Sequence, residues 1–235
     1  MSHNASGGRS RPIVLSFSGI DGAGKSTQIQ ILLTRLRSAD LRVRLLAFWD
    51  DVAVLTRFRG FASHVVFGGD QGVGAPGQPV NRRDKNVQSI FMSPLRALLY
   101  VLDAVSLHRT IARARASKAD VIIVDRYLYD ELANLSLHRA AVRTYARYLL
   151  RLFPSPDLAF LIDADPVQAR ERKPEYPLEF LQSNRASYLR LAKMAGMTVI
   201  PPGPVIEVAD SITEKLASLF ASAVPSHASL SPHPL

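Results

Sequence analysis

The stretch SFSGIDGAGKST, Ser16–Thr27, decides the fold of this chain. Gly19, Gly24, Lys25 and Ser26 complete the pattern G-x-x-x-x-G-K-[ST], between an apolar run and an amphipathic helical pattern. Glycines let backbone N–H groups turn towards an anion, and the start of a helix adds partial positive charge. The alternative is a glycine-rich turn that only closes onto a helix. The context favours a cradle for a nucleoside triphosphate, with Lys25 on the β- and γ-phosphates and Ser26 on Mg²⁺.

Apolar runs and helical patterns alternate along the rest of the chain. Strands are predicted at Pro12–Phe17, Arg42–Phe48, Asp120–Asp125, Leu158–Asp163 and Met197–Ile200. Helices are predicted at Lys25–Ser38, about 52–66, Pro94–Ala116, twice within Leu128–Leu152, and at Leu178–Ala195. Several strands are apolar on both faces, as in a parallel sheet covered by helices. We therefore predict a three-layer α/β fold with a five-stranded parallel sheet and ligands at the carboxyl ends of its strands.

The chain of 235 residues suits one domain, which we place at residues 12–222. Residues 1–11 and 223–235 are small, polar or Pro/Ser-rich, and are predicted to be flexible tails. Residues 68–86 string together glycines and prolines, which predicts a long mobile loop. A lid is expected at about residues 168–178.

Composition narrows the function classes. There are no cysteines, which excludes disulfides, thiolate catalysis and cysteine-bound metals. No apolar run is long enough to span a bilayer and the polar N-terminus lacks the apolar core of a signal peptide, so we expect a cytoplasmic protein without a membrane partner. The net charge of +9 is expected to attract polyanions, either nucleotides or nucleic acid. The alternative is that this charge only keeps the protein in solution.

Two further clusters follow predicted strands. Asp125 ends the third strand, where an acid can hold Mg²⁺, although it could instead cap the next helix. Arg126 beside it is a candidate for an acceptor phosphate, because guanidinium groups bind phosphate oxygens bidentately, or it forms an ordinary ion pair. After the fourth strand, Arg170, Arg172 and Lys173 precede Pro174. These basic residues could form a cationic lid that closes over a reacting phosphoryl group. Alternatively, they only complement the dipole at the C-terminus of a helix.

A basic stripe recurs every four residues on one predicted helix, at Arg139, Arg143, Arg147 and Arg151. Such a stripe could follow a nucleic-acid backbone, but a solvated helix face is the more common arrangement. We expect no nucleic-acid partner.

In this order, FSGIDGAGKST, LLYVLDAVSLHR, VIIVDRY, LIDADPVQARERK and FLQSNRASYLRLA resemble the thymidylate kinase family of nucleoside monophosphate kinases. The likeness covers about residues 14–192 and implies a P-loop kinase fold. It also implies ATP and Mg²⁺ as cofactors, a nucleotide acceptor and the possibility of a homodimer. The resemblance assigns the ATP phosphates to Gly19, Ile20, Asp21, Gly22, Ala23, Gly24, Lys25, Ser26 and Thr27.

The resemblance also implies roles outside the loop. Asp21 would order Lys25 and the metal, and Asp125 would hold Mg²⁺ through water together with Ser26. Arg126 would bind the acceptor phosphate. Tyr100 falls where the family stacks an aromatic ring on the acceptor base. Phe48 and Asp103 are also expected to contact the acceptor.

The catalytic arginine is expected in the lid. Gly22 stands where some family members carry an arginine, so the resemblance points to Arg172 first and Arg170 second.

The chain departs from the family pattern on the acceptor side. Ser18 replaces an acid before the first loop glycine, and Ala104 replaces an arginine after Asp103. The loop after the second strand reads FWDDVAVLTRFRG, in which Asp50 and Asp51 could bind acceptor groups or cap a helix. LYDELAN follows Asp-Arg-Tyr in place of small polar residues.

Three functions are therefore weighed. The first is an ATP- and Mg²⁺-dependent kinase of a nucleoside monophosphate, with dTMP as the first candidate. The second keeps the chemistry but changes the acceptor to a nucleoside, sugar or other metabolite. The third is a catalytically idle ATP-binding or nucleic-acid-binding regulator, motivated by the basic stripe and the altered acceptor loop.

Overall fold

The computed structural model describes residues 11–48, 51 and 93–223, with backbone alone described for 93–99 and 222–223. Five strands form one parallel sheet in the order β2-β3-β1-β4-β5. They are β1 Ile13–Ser18, β2 Val43–Ala47, β3 Val121–Asp125, β4 Leu158–Ile162 and β5 Thr198–Ile200. The predicted strands are confirmed to within one or two residues at each end, and so is the predicted fold class.

Seven helices lie in the described ranges and flank this sheet. They are α1 Lys25–Ser38, α2 Ser93–Ala116, α3 Leu128–Leu132, α4 Ala140–Leu152, α5 Pro166–Arg172, α6 Leu178–Ala195 and α7 Val205–Ala223. The predictions for α1, α2, α6 and the pair α3 and α4 are confirmed. The helix expected at about 52–66 and the loop expected at 68–86 lie outside the described residues.

Helix α7 is missing from the sequence prediction. It packs against α1: the side-chain amide of Gln28 donates to the carbonyl of Val205 over 3.0 Å, and Arg35 forms an ion pair with Asp210. Val208, Ile212 and Leu216 of α7 are buried at helical spacing. The helix therefore packs beside α1 and the edge strand β5.

The central strands are buried on both faces because helices cover both sides of the sheet. In β3, Val121, Ile122, Ile123 and Val124 are fully buried, and Phe17 of β1 packs on Phe160 of β4 with ring centroids 5.2 Å apart. The side chains of Ser16 and Ser18 are also buried in β1, within this apolar surround. Ser18 is therefore a buried polar group that needs a hydrogen-bond partner.

The register of the sheet brings the candidate site residues to one edge. Phe17 is aligned with Asp125 between β1 and β3, and with Phe160 between β1 and β4. Ser18, Asp125 and Asp163 thus lie at neighbouring carboxyl ends of three parallel strands, where α/β sheets place their ligands. Among the helices that the structure describes, none is long and apolar enough to cross a membrane.

Candidate active site

The loop between β1 and α1 turns on three glycines with positive φ. Gly19 has φ 150°, Gly22 has φ 82° and Gly24 has φ 89°. A Cβ atom on Gly19 would lie 2.5 Å from the carbonyl oxygen of Ile162 at the end of β4. The loop can therefore pass this close to the sheet only with glycine at position 19.

Helix α1 starts directly at the loop. Gly24 is its N-cap residue, and within the described part of the chain no side chain caps the helix and no acidic residue lies in its first turn. The first N–H groups of a helix carry partial positive charge and bind anions. The start of α1, at Lys25 and Ser26, therefore suits a phosphate group.

Lys25 is anchored by the loop that precedes it. Its ammonium nitrogen donates to the carbonyl oxygens of Gly19 at 2.6 Å and Ile20 at 3.0 Å, and its side chain is largely buried. These bonds hold the positive charge inside the curve of the loop. A buried ammonium of this kind is placed to neutralise phosphate oxygens.

Asp125 ends β3 beside the loop. Burial raises the pKa of this carboxyl, and the nearby charges of Arg126 and Lys25 partly oppose the rise. The side chain thus lies near both cations of the site. Mg²⁺ is usually held by one or two carboxylates together with phosphates and water, and the donors Ser26, Asp125 and Asp21 fit that composition.

Arg126 follows β3 with φ 65°, a left-handed conformation that is uncommon for a residue other than glycine. Its backbone N–H donates to the carbonyl of Phe17 over 3.0 Å, and its guanidinium donates to Oδ1 of Asp21 over 3.0 Å. Burial lowers the pKa of Arg126, but the carboxylates of Asp130 and Asp21 raise it further than burial lowers it. A strained, partly buried arginine tied to the glycine-rich loop is typical of a functional site.

The lid residues lie on α5 and the turn after it. Asp165 caps α5 by accepting the backbone N–H groups of Val167 at 3.0 Å and Gln168 at 3.1 Å, with Pro166 at the first helical position. Arg170 donates through Nε to the carbonyl of Tyr176 over 3.1 Å, whereas Arg172 is exposed. The two arginines predicted for the lid therefore differ in how firmly they are held.

The lid helix touches the phosphate loop at Gly22. A Cβ atom at this position would lie 2.1 Å from the carbonyl oxygen of Ala169 in α5. No residue with a side chain fits there without moving one of the two backbones. Arg170 and Arg172 lie within one helical turn of Ala169, so both side chains start close to the loop.

The residues predicted for the acceptor are deeply buried. Phe48, Tyr100 and Asp103 are 1%, 3% and 0% exposed. The hydroxyl of Tyr100 donates to Oε2 of Glu131 over 3.3 Å, which brings the altered segment after Arg126 next to the predicted acceptor position. Contacts of these residues with an acceptor stay a prediction.

Asp51 has a local role. Its carboxylate accepts the backbone N–H of Ala47 over 2.7 Å at the end of β2, while Asp50 lies outside the described residues.

In the basic stripe along α4, Arg143 donates to the carbonyls of Leu137 and His138, and Arg139, Arg147 and Arg151 are exposed. The stripe thus includes one arginine that secures the start of its own helix.

Sequence reasoning missed the partners of two acids near the site. Asp130 of α3 accepts hydrogen bonds from Ser18, Tyr127 and Tyr188, and Asp163 accepts two hydrogen bonds from Nε and one Nη of Arg185, at 2.7 and 2.6 Å. The acid at position 130 was visible as part of LYDELAN, but only the fold brings it to β1.

The order of the sheet, the glycine-rich loop after β1 and the acid at the end of β3 define a P-loop kinase-type nucleotide-binding protein. The fold is similar to the solved structure of thymidylate kinase from Candida albicans, with a TM-score of 0.59 over 88% of this chain and 92% of that chain, at 18% identity. At this identity the likeness shows the fold.

Sequence relatives identify the family, although no protein-family model matches the chain. The thymidylate kinase of Ruegeria pomeroyi is 30% identical over 196 residues, which cover 77% of this chain and 82% of that protein. The probable thymidylate kinase of Pyrobaculum aerophilum is 26% identical over 197 residues, covering 79% of this chain and 86% of that protein. The chain belongs to the thymidylate kinase family.

Proposed function

We propose that the protein transfers the γ-phosphoryl group of ATP to dTMP, giving ADP and dTDP. One observation carries the proposal: Lys25, Asp125 and Arg126 meet at the carboxyl ends of β1 and β3, and Arg126 is bonded to Asp21 of the phosphate loop. The sequence relatives are named thymidylate kinases, and this family in general uses ATP and Mg²⁺.

The donor half of the site is the loop 19–27. Its backbone N–H groups and the start of α1 would bind the ATP phosphates, and Lys25 would neutralise the β- and γ-phosphate oxygens. Ser26 and Asp125 would hold Mg²⁺, with Asp21 close by. A Mg²⁺ ion held by these residues would lower the charge repulsion between donor and acceptor.

The acceptor half is organised by Arg126. Its guanidinium would bind two oxygens of the dTMP phosphate, because the planar fork matches phosphate geometry. The remaining acceptor oxygen would then attack the γ-phosphorus, and the bond from that phosphorus to the β–γ bridging oxygen would break. No covalent enzyme intermediate is needed, since the protein contributes positioning and charge.

The lid supplies the last cation. Arg172 is our first candidate for the catalytic arginine, because its exposed side chain can move over the γ-phosphoryl group. Arg170 is the second candidate, since its bond to the Tyr176 carbonyl limits its reach. On the acceptor side, we propose that Tyr100, Phe48 and Asp103 would line the site, as the resemblance implies.

The test is an ADP-release assay over nucleoside monophosphates, nucleosides and sugars, with ATP and GTP each as donor. We expect the highest kcat/KM with dTMP and ATP, and no turnover by Lys25→Ala under the same conditions. Turnover of non-nucleotides alone would refute the proposal.

A further inference from the structure

The end of β1 carries a buried hydrogen bond between Ser18 and Asp130. The hydroxyl oxygen of Ser18 lies 2.7 Å from Oδ2 of Asp130, and the two residues are 112 positions apart in the chain. Ser18 is fully buried and Asp130 is 4% exposed. The contact therefore links the last residue of β1, directly before the phosphate loop, to helix α3.

Three neutral donors converge on this carboxylate. Besides Ser18, the backbone N–H of Tyr127 donates to Oδ2 over 2.9 Å, and the hydroxyl of Tyr188 on α6 donates to Oδ1 over 2.8 Å. Together these donors satisfy both oxygens of a buried carboxylate. A helix-capping role for Asp130 accounts for the Tyr127 bond alone.

Arg126 is the cation directly before Tyr127, whose backbone N–H Asp130 accepts. Attraction to Asp130 and to Asp21 raises the pKa of Arg126 against the effect of burial. The guanidinium is hydrogen-bonded to Asp21, and Asp130 lies next to Arg126 in the fold because its carboxylate accepts the N–H of Tyr127, the following residue. Because a buried charge without a counter-charge is costly, Arg126 and Asp130 each favour the observed position of the other.

We propose that Asp130 is a positioning residue for Arg126, and that the Ser18–Asp130 pair does from α3 what a single acid at position 18 would do from β1. Ser18 stands where the resemblance places an acid, and the oxygen 2.7 Å from its hydroxyl is a carboxylate oxygen. The acid is therefore at position 130 instead of position 18, one hydrogen bond away, and it still lies beside Arg126. This inference rests on the proposed role of Arg126 in binding the acceptor phosphate.

The first test is Asp130→Asn, which keeps the size of the side chain and removes its charge. We expect the KM for dTMP to rise about 10- to 100-fold, as for loss of a charged hydrogen-bond partner, while the KM for ATP stays within about twofold. Tyr188→Phe removes one donor but keeps the charge, so it should lower thermal stability with little change in either KM. Asp120→Asn, at the opposite end of β3, is the control for loss of an aspartate outside the site.

The second test exchanges the two residues. Ser18→Asp alone places two carboxylates side by side and should weaken dTMP binding, because like charges in a buried site repel. The double variant Ser18→Asp/Asp130→Ser again has one carboxylate in the pair. It should bind dTMP more tightly than either Ser18→Asp or Asp130→Asn. Recovery also answers the case in which Asp130→Asn fails to fold.

Calorimetric binding of dTMP accompanies the kinetics, so that binding is read separately from turnover. A wild-type protein that binds dTMP without phosphorylating it would refute the proposed function. The dTMP affinities of the wild-type protein and of the Ser18 and Asp130 variants could still be compared. Unchanged dTMP affinity in Asp130→Asn, or a double variant that does not bind dTMP more tightly than both Ser18→Asp and Asp130→Asn, would overturn the inference. Absence of dTMP binding by the wild-type protein would overturn it as well.

Discussion

The guanidinium of Arg126 donates a hydrogen bond to Oδ1 of Asp21 over 3.0 Å, which joins the end of β3 to the phosphate loop. The residue that we propose for the acceptor phosphate and the loop that we propose for the donor are therefore directly connected. Under the proposed function, this bond would help to fix the distance between the two substrates.

Replacing Arg126 by alanine should mainly weaken acceptor use. We expect the KM for dTMP to rise about 10- to 100-fold, because a charge-assisted pair to phosphate is lost. The measurement is steady-state kinetics with dTMP and ATP varied separately. Arg151→Ala, on the exposed face of α4, is the matched control and should leave both constants unchanged. A loss of thermal stability without any change in acceptor kinetics would favour a purely structural ion pair.

Lys25→Ala should abolish measurable turnover, with a loss of at least about 100-fold, because a cation at the transferred phosphoryl group stabilises the transition state. The fold should persist, since the carbonyls of Gly19 and Ile20 lose one donor and nothing is overpacked. Circular dichroism and a single-turnover assay measure the two effects. Lys215→Ala, an exposed lysine of α7, should behave like the wild-type protein. An unaffected rate in Lys25→Ala would contradict the assignment of the phosphate loop.

Alanine substitutions of the two lid arginines should have different effects on kcat and on thermal stability. Arg172→Ala is expected to lower kcat by about 1,000-fold or more, the scale of an arginine that acts on a transferring phosphoryl group, with unchanged thermal stability. Arg170→Ala should instead lower the melting temperature, because its bond to the Tyr176 carbonyl is lost. The reverse pattern of kcat effects would make Arg170 the catalytic arginine.

Gly22→Ala should cost more stability than an ordinary glycine substitution. The new Cβ would lie 2.1 Å from the carbonyl oxygen of Ala169, and φ is 82°. We expect a loss above about 2 kcal/mol in urea unfolding, since overpacking adds to the strain of a left-handed residue. Gly196→Ala is the control: φ is 65° but nothing lies within 4 Å of its Cβ, so about 1 kcal/mol is expected. Equal losses would show that the contact with α5 yields without cost.

Asp125 makes the stability of the protein depend on pH. Burial raises the pKa of this carboxyl in the folded state, so the folded protein holds the proton to higher pH than the unfolded chain does. Its contribution to stability is therefore present below the ordinary aspartate pKa and lost as pH rises through the raised value. Without added Mg²⁺, Asp125→Asn should exceed the wild-type protein in free energy of unfolding at pH 7. Urea titrations at pH 7 and at about pH 3.5, where the difference should vanish, test this.

Local patterns were enough to predict most of the fold. The glycine-rich loop, the strands and helix α6 were predictable because apolar periodicity and turn residues act over short distances. Helix α7 was missed: its first turn is preceded by Pro201, Pro202 and Pro204, which resemble the start of a tail. Its partners on α1 are distant in sequence.

The candidate site was predictable in the residues of the glycine-rich loop and less so in their supports. Lys25 and Ser26 belong to a pattern with fixed spacing, and Asp125 ends an apolar run. The bonds of Asp130 to Ser18 and Tyr188 join three separate elements, so no local pattern encodes them. The direct contact between Gly22 and α5 depends likewise on how a helix and a loop pack.

The close approach of Gly22 to Ala169 limits how this chain can evolve. An arginine at position 22 would collide with the backbone of α5, so this protein could not acquire a loop arginine by a single substitution while α5 keeps its place. The lid would have to shift first, and that shift would displace Arg170 and Arg172. Position 22 and the segment around Ala169 should therefore change together among descendants of this lineage, each permitting only certain partners at the other.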